Sequence, residues 1–132
     1  MLDQLQLSQV LFIDIETVPE HRSFDDLNPI KQKLWKEKSA YKRRYEAQDG
    51  EDISASDYYE NAGIWAEFGK IICISAGIIN TDRKQQEFRI KSFYGDDEKE
   101  ILKDFSSLLH THYNSSNRLL CGHNIKEFDI PY

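Results

Sequence analysis

Two carboxylates, Asp14 and Glu16, stand two residues apart at the end of a short apolar run. Side chains alternate across a β-strand, so these acids share one face while Ile13 and Ile15 point to the other. Two neighbouring anions repel each other, and a proton or a cation relieves that repulsion. Mg²⁺ binds a few carboxylates and otherwise water and phosphate, so the pair is a candidate metal site. The alternative is a strand that ends in solvated acids before the turn at Pro19.

A third acid, Asp129, stands close to the end of the sequence, between Phe128 and Ile130. These two apolar residues are expected to anchor the segment in the core and to leave Asp129 pointing over the sheet. Asp129 would then join the metal-binding acids, with Asn124 as a hydrogen-bonding group on the substrate side. The alternative is that Asp129 only caps a helix at Pro131, because Asp is a preferred N-cap residue.

The elements between the two acidic segments decide whether these acids can meet. The sequence predicts strands over 70–79, 87–94 and 118–121, and a helix that starts at Asp97 with an apolar stripe to Tyr113. The last strand follows a helix, so it is expected to lie parallel to the first strand. Parallel neighbours end at the same edge of a sheet, where ligands bind in open α/β folds. The three acids are therefore expected at one edge.

Residues 18–66 are predicted to be a helical insertion after the first strand, because neither half of the segment could bury a core alone. Its main helix, residues 31–47, is rich in Lys and Arg. Its large apolar residues are expected to share one side: Leu34, Trp35, Tyr41 and Tyr45. One interpretation is a surface helix docked through that side, with solvated charges. The other is a surface that follows phosphates and stacks bases on its rings.

Composition excludes some classes of protein. The 132 residues fit one modest domain, and 39% hydrophobic with 30% charged residues is ordinary for a globular protein. No apolar run approaches a membrane span and no signal region opens the sequence, so a cytoplasmic location and no membrane partner are expected. The net charge of −6 argues against broad non-specific attraction to nucleic acid but not against a local basic patch. Cys73 and Cys121 lie in apolar runs and are expected to be buried free thiols.

Two segments resemble the motifs of a known family. Residues 12–17, Phe-Ile-Asp-Ile-Glu-Thr, resemble the first motif of the DEDD-type 3′–5′ exonucleases. Residues 122–124, Gly-His-Asn, followed by 128–132, Phe-Asp-Ile-Pro-Tyr, resemble the second motif in the proofreading domains of family B DNA polymerases. Residues 62–71 are similar to a bacterial group of predicted exonucleases related to those domains. The resemblance covers residues 10–17 and 62–132.

The resemblance implies a ribonuclease H-like α/β fold, with a mixed sheet and helices on both faces. The strand order that it implies is third, second, first, fourth, with a fifth strand beyond. Residues 1–132 would then form a single incomplete exonuclease domain that lacks the fifth strand and carries the 18–66 insertion.

Site residues and cofactors also follow from the resemblance. Two Mg²⁺ or Mn²⁺ ions about 4 Å apart would hold the scissile phosphate at the 3′ end of single-stranded DNA, with RNA left open. Asp14 would bridge both ions, Glu16 would bind the ion on the nucleophile side, and Asp129 would hold the second ion through water. Thr17 through its backbone and Phe128 by packing would lie near the terminal nucleotide.

The family also needs a third motif, Tyr-x-x-x-Asp or His-x-x-x-x-Asp, which supplies a fourth acid and a general base. That motif follows the second one, and the sequence ends at Tyr132. We therefore expect an N-terminal part of a longer protein, which alone binds metal weakly and cleaves poorly or not at all. Tyr94 and Tyr113 are expected to be core residues, and His123 is expected to be structural.

Two other functions stay open on the sequence. One is a ribonuclease H-like module that binds nucleic acid without cutting it, with helix 31–47 as its surface. The other is an endonuclease or resolvase on the same fold. An unpaired sheet edge in the incomplete domain would also favour self-association.

Overall fold

A computed structural model describes residues 5–47, 51–81 and 87–132. Its four strands are β1 (Val10–Pro19), β2 (Gly69–Asn80), β3 (Glu87–Tyr94) and β4 (Leu119–Cys121). Its two α-helices are α1 (Pro29–Glu46) and α2 (Glu98–His112). Short 3-10 helices span Leu7–Gln9, Phe24–Asp26 and Asp57–Ile64. Across the described ranges, no helix has the length and hydrophobicity that a membrane crossing requires.

The chain forms two compact units. One, here the sheet unit, comprises Met1–Glu16 and Ile71–Tyr132, and the other, here the helical unit, comprises Thr17–Lys70. The sequence also predicts a turn over residues 80–84, between the second and third strands, and most of it lies outside the described residues.

The sheet is mixed, with the strand order β3-β2-β1-β4. β1 and β4 are parallel, with Val10 opposite Leu119 and Phe12 opposite Cys121. β2 and β3 are antiparallel along the whole length of β3. The α/β class, the parallel pairing of the first and last strands and the predicted strand order are therefore all present in the structure.

Alternation along β1 builds the core of the sheet unit. Leu11, Ile13 and Ile15 are buried and form one cluster with residues of β2, with Phe93 of β3 and with Ile101 of α2. Asp97 begins α2 as predicted, because its Oδ1 accepts hydrogen bonds from the backbone N–H groups of Lys99 and Glu100. These caps satisfy donors that the first helical turn leaves unpaired.

Trp35 lies at the centre of the helical unit and has no exposed surface. Its indole Nε1–H donates to the backbone oxygen of Ala55 at 2.6 Å. Four aromatic rings surround it, with centroids 5.2 to 6.2 Å away: Tyr58, Tyr59, Trp65 and Phe68. The N-terminus of α1 is fixed by Asn28, whose Oδ1 accepts from the backbone N–H of Lys31, and by Pro29 in the first turn.

The prediction that the aromatic residues of α1 share one side is wrong. At about 100° per residue, Leu34, Tyr41 and Tyr45 lie about 80° to 120° away from Trp35 around the helix. Trp35 is buried, while the other three are 49%, 74% and 78% exposed. The helix docks through Trp35 and the buried Ser39, and its tyrosines lie in solvent.

Three further burial predictions are wrong. Tyr94 was expected in the core and is 79% exposed, because it ends β3 on the side of that strand opposite the buried Phe93. Cys121 is exposed, because β4 has three residues and, among the described strands, pairs with β1 alone. Ile130 is 56% exposed and does not anchor its segment. Cys73 is half-buried, and both thiols are free.

Candidate active site

Asp14 and Glu16 lie on the exposed side of β1. Both side chains are exposed, while Ile13 and Ile15 between and beside them are buried. The alternation predicted from the sequence therefore holds up to Glu16, the last residue of β1 in the sheet unit. Two acids on one strand face, open to solvent, are accessible to a hydrated cation.

Asp129 meets β1 between those two acids. Its Oδ1 accepts a hydrogen bond from the backbone N–H of Ile15 at 3.1 Å, across 114 positions of sequence. The ladder between β4 and β1 ends at Phe12. Beyond it, the Asp129 side chain accepts the hydrogen bond of a β1 backbone N–H in place of a neighbouring strand. Asp129 therefore does not act as a local helix cap, and one carboxylate oxygen is left for another partner.

A tight turn after β4 directs the chain towards β1. A Cβ on Gly122 would lie 2.6 Å from the backbone oxygen of Ile13, so only glycine fits at this approach. Asn124 follows with a φ of 54°, a left-handed conformation that Asn tolerates better than most residues. The Asn124 carbonyl oxygen accepts from the backbone N–H groups of Glu127 and Phe128.

The segment 123–131 is a series of turns, where a helix beginning at Pro131 was expected. Phe128 packs against the core of the sheet unit, and its ring lies 5.4 Å from that of Tyr132. Phe128 therefore anchors the segment as predicted, and Asp129 beside it is half-buried.

The residues predicted to contact substrate occupy different environments. The Asn124 side chain is exposed, and the backbone of Asn124 shapes the turn that carries Asp129. Thr17 belongs to the helical unit, where its hydroxyl donates to the backbone oxygen of Gly63 at 2.7 Å. Its side chain is engaged in structure, which is consistent with a contact made through the backbone. His123 is exposed.

Carboxylate oxygens are the donors that Mg²⁺ and Mn²⁺ prefer, so Asp14, Glu16 and Asp129 fit such an ion by donor type. Among the residues that the structure describes, no three His, Cys, Asp or Glu side chains converge as a metal-binding group. The fold brings the three acids to the same stretch of β1 without arranging them as ligands. Metal binding would require their side chains to draw together.

A hollow of about 270 Å³ adjoins Asp14 on the sheet unit, and sequence reasoning missed it. Its wall includes Phe12 and Phe88, whose rings meet edge to face at 5.8 Å. Gly77 of β2 leaves the space that the Phe88 ring fills, because a Cβ there would lie 2.6 Å from the ring. The alternation of Phe88 and Ile90 along β3 was the signal that placed both on one face.

No family model, no curated protein and no solved structure matches the chain. The exonuclease assignment therefore stays a prediction that rests on the two motifs and on the residues they place.

Proposed function

We propose that this chain carries the first two motifs of a metal-dependent 3′–5′ exonuclease of the DEDD type, with a ribonuclease H-like fold and single-stranded DNA as substrate. One observation carries the proposal, the hydrogen bond between Ile15 and Asp129. It joins the second motif to the first, between the two acids Asp14 and Glu16. A purely local role for Asp129 gives no reason for that contact.

Each acid has a distinct role in the proposed site. Asp14 and Glu16, exposed on one face, would hold the ions. Asp129 keeps one oxygen on the Ile15 N–H and would offer the other to an ion. When bound, such ions supply an activated water and positive charge for the leaving 3′ oxygen. The hydrogen bond from the Ile15 backbone N–H holds the Asp129 side chain in place. The negative charge of this carboxylate is therefore held in a fixed position.

The test uses a single-stranded DNA labelled at its 5′ end, with Mg²⁺ or Mn²⁺. It is run on the 132-residue chain and on the complete product of its coding sequence. We expect stepwise shortening from the 3′ end by the complete product. Asp14→Asn should lower the rate by about 100-fold or more, because even groups that only orient a metal ligand are worth about 10–100-fold. Asp104→Asn, an exposed acid of α2, is the matched control and should not change the rate.

Other outcomes contradict the proposal in distinguishable ways. Shortening that persists in Asp14→Asn rules out the assigned site. Cleavage of a circular single strand identifies an endonuclease. Metal-independent binding without any cleavage by the complete product identifies a non-catalytic nucleic-acid-binding module. A labelled RNA tested in parallel shows whether the site accepts ribose as well as deoxyribose in its substrate.

A further inference from the structure

The outer side of α1 carries a stripe of exposed apolar residues, here called the tyrosine face. Its four members are 49% to 78% exposed: Ile30, Leu34, Tyr41 and Tyr45. They lie within about 60° of one another around the helix, on the side away from the buried Ser39. None of them belongs to the hydrophobic cluster around Trp35. A helix that already buries one side in its own unit therefore shows a second, exposed apolar side.

The buried side of α1 holds the helix in place independently of the tyrosine face. Trp35 donates to the backbone oxygen of Ala55 at 2.6 Å, and Arg43 donates to the backbone oxygen of Ile53 at 2.8 Å. Lys31 pairs with Glu20 within the same unit. The tyrosines are therefore not needed to dock the helix, and their substitution should leave the helical unit folded.

The two tyrosines form a pair of nearly parallel rings. The centroids of Tyr41 and Tyr45 lie 6.4 Å apart with an angle of 15° between ring planes. This spacing is one turn of the helix, so the rings form successive platforms along its axis. Base–aromatic stacking needs such flat, exposed faces, and it is tolerant of sequence because every base has a π-face.

Positive charge borders the tyrosine face on both sides. At about 100° per residue, the exposed acid Glu37 lies at one edge of this face. Of the basic residues, Lys33 and Arg44 lie beyond it on that side, and Lys42 lies along the other side. All three are exposed, and none makes a salt bridge within the described ranges, whereas Lys38 pairs with Glu67 at 3.0 Å. The helix carries seven basic and two acidic residues in a chain of net charge −6. This local excess of positive charge complements a phosphate backbone.

We propose that the tyrosine face of α1 binds single-stranded nucleic acid, with bases stacked on Tyr41 and Tyr45 and phosphates at Lys33, Lys42 and Arg44. The inference rests on the proposed function for the identity of the ligand, and it assigns the strand a contact outside the carboxylate site. A membrane surface is a poorer fit, because the helix is strongly polar and its most exposed apolar groups end in hydroxyls. A second copy is a poorer fit because like-charged borders would face each other.

The test is fluorescence anisotropy with a labelled deoxythymidine oligonucleotide of about 16 nucleotides, the upper end of common single-strand site sizes. EDTA is present throughout, so cleavage and metal do not contribute. Tyr41→Ala with Tyr45→Ala should weaken binding at least tenfold, by about the amount that losing one stacked base implies. Tyr94→Ala, an equally exposed tyrosine of the sheet unit, is the matched control and should bind as the unchanged chain does.

Two variants separate stacking from charge. Tyr41→Phe with Tyr45→Phe keeps both rings and should restore binding, and it should restore quenching of a 2-aminopurine base in the oligonucleotide. Lys42→Gln with Arg44→Gln should lower the slope of log affinity against log salt by about 1.4, since each single-strand phosphate contact contributes about 0.7. The emission of the two tryptophans, the buried Trp35 and Trp65 packed against it, reports whether each variant is folded.

Failure of this inference is distinct from failure of the proposed function. Asp14→Asn should lower the cleavage rate about 100-fold or more, and in that background Tyr41→Ala with Tyr45→Ala should still weaken binding in EDTA at least tenfold. The inference is overturned when the double alanine variant binds the oligonucleotide as tightly as Tyr94→Ala does. It is also overturned when the unchanged chain does not bind the oligonucleotide at low salt. Loss of self-association or of vesicle binding in the alanine variant, with oligonucleotide binding unaltered, overturns it in favour of those partners.

Discussion

The Asp129 carboxylate and the Ile15 backbone N–H are joined by a hydrogen bond of 3.1 Å, in a partly buried position where β4 no longer accompanies β1. A backbone donor that loses its strand partner needs another acceptor when water is partly excluded. An ionised carboxylate is a stronger acceptor than a neutral carbonyl group. One contact thus completes the strand and fixes an acid beside Asp14 and Glu16.

Asp129→Ala should lower the free energy of unfolding of the sheet unit by about 1–3 kcal/mol, because it leaves the Ile15 N–H without its charged acceptor. Urea titration followed by circular dichroism measures the loss. Glu127→Ala changes an exposed acid in the same turn and should stay within about 0.5 kcal/mol of the unchanged chain. Equal stability of the two variants would show that Asp129 is an ordinary surface acid.

Gly122→Ala should destabilise the sheet unit by about 1–3 kcal/mol, because the new methyl group would lie 2.6 Å from the Ile13 carbonyl oxygen and force the turn away from β1. Gly95→Ala is the control, since nothing lies within 4 Å of a Cβ at that position. Urea midpoints of the two variants are compared directly. The same midpoint for both would mean that the turn adapts without strain and that the close approach does not position Asp129.

Sequence patterns predicted the scaffold of the site well. Alternation identified β1 with its acids on one side, and the apolar stripe after Asp97 identified α2 with its cap. A strand after a helical connection was correctly predicted to be parallel to β1. These features depend on local periodicity and on general rules of chain connection, which a single sequence contains.

Exposure and long-range contact were harder to predict. An aromatic residue on a helix packs inward or outward depending on what faces it, so Trp35 and Tyr41 could not be told apart by type. The apolar run around Cys121 predicted a core residue. Only the tertiary structure shows that β4 has a neighbouring strand, β1, on one side. The contact of Asp129 with Ile15 depends on the register between distant segments, which composition and spacing do not encode.

Alkaline pH should destabilise the helical unit through Tyr58. Burial, together with the hydrogen bond that its hydroxyl donates to Glu46, raises the pKa of Tyr58 to about 12. In the unfolded chain a tyrosine ionises near pH 10, so from about pH 10 to 12 only the unfolded state releases this proton. Stability that is present below pH 10 is therefore lost as pH rises through that window.

Tyr58→Phe should make the fall in stability between pH 10 and 12 shallower, because the variant has no proton to lose at this position. Urea titrations at several pH values measure the slope, and absorbance at alkaline pH counts the late-titrating tyrosines, which should be one fewer in Tyr58→Phe. Part of the slope should remain, since burial also raises the pKa of Tyr59. An unchanged slope in Tyr58→Phe would contradict the assigned pKa.

Metal binding can be tested without any measurement of cleavage. Asp14 and Glu16 share the exposed face of β1, so Asp14→Asn removes one of two neighbouring anions and should leave the metal-free chain as stable as before or slightly more stable. Mn²⁺ should then stabilise the unchanged chain, by about 2.7 kcal/mol where free metal exceeds its Kd 100-fold, and should stabilise Asp14→Asn far less. Thermal unfolding measures this difference, and the electron paramagnetic resonance signal of free Mn²⁺ measures binding directly.

Asp104→Asn controls for loss of a single exposed charge elsewhere on the sheet unit. Equal stabilisation of all three proteins by Mn²⁺ would show that the ion acts on surface charge in general, and the pair on β1 would then be two solvated surface acids.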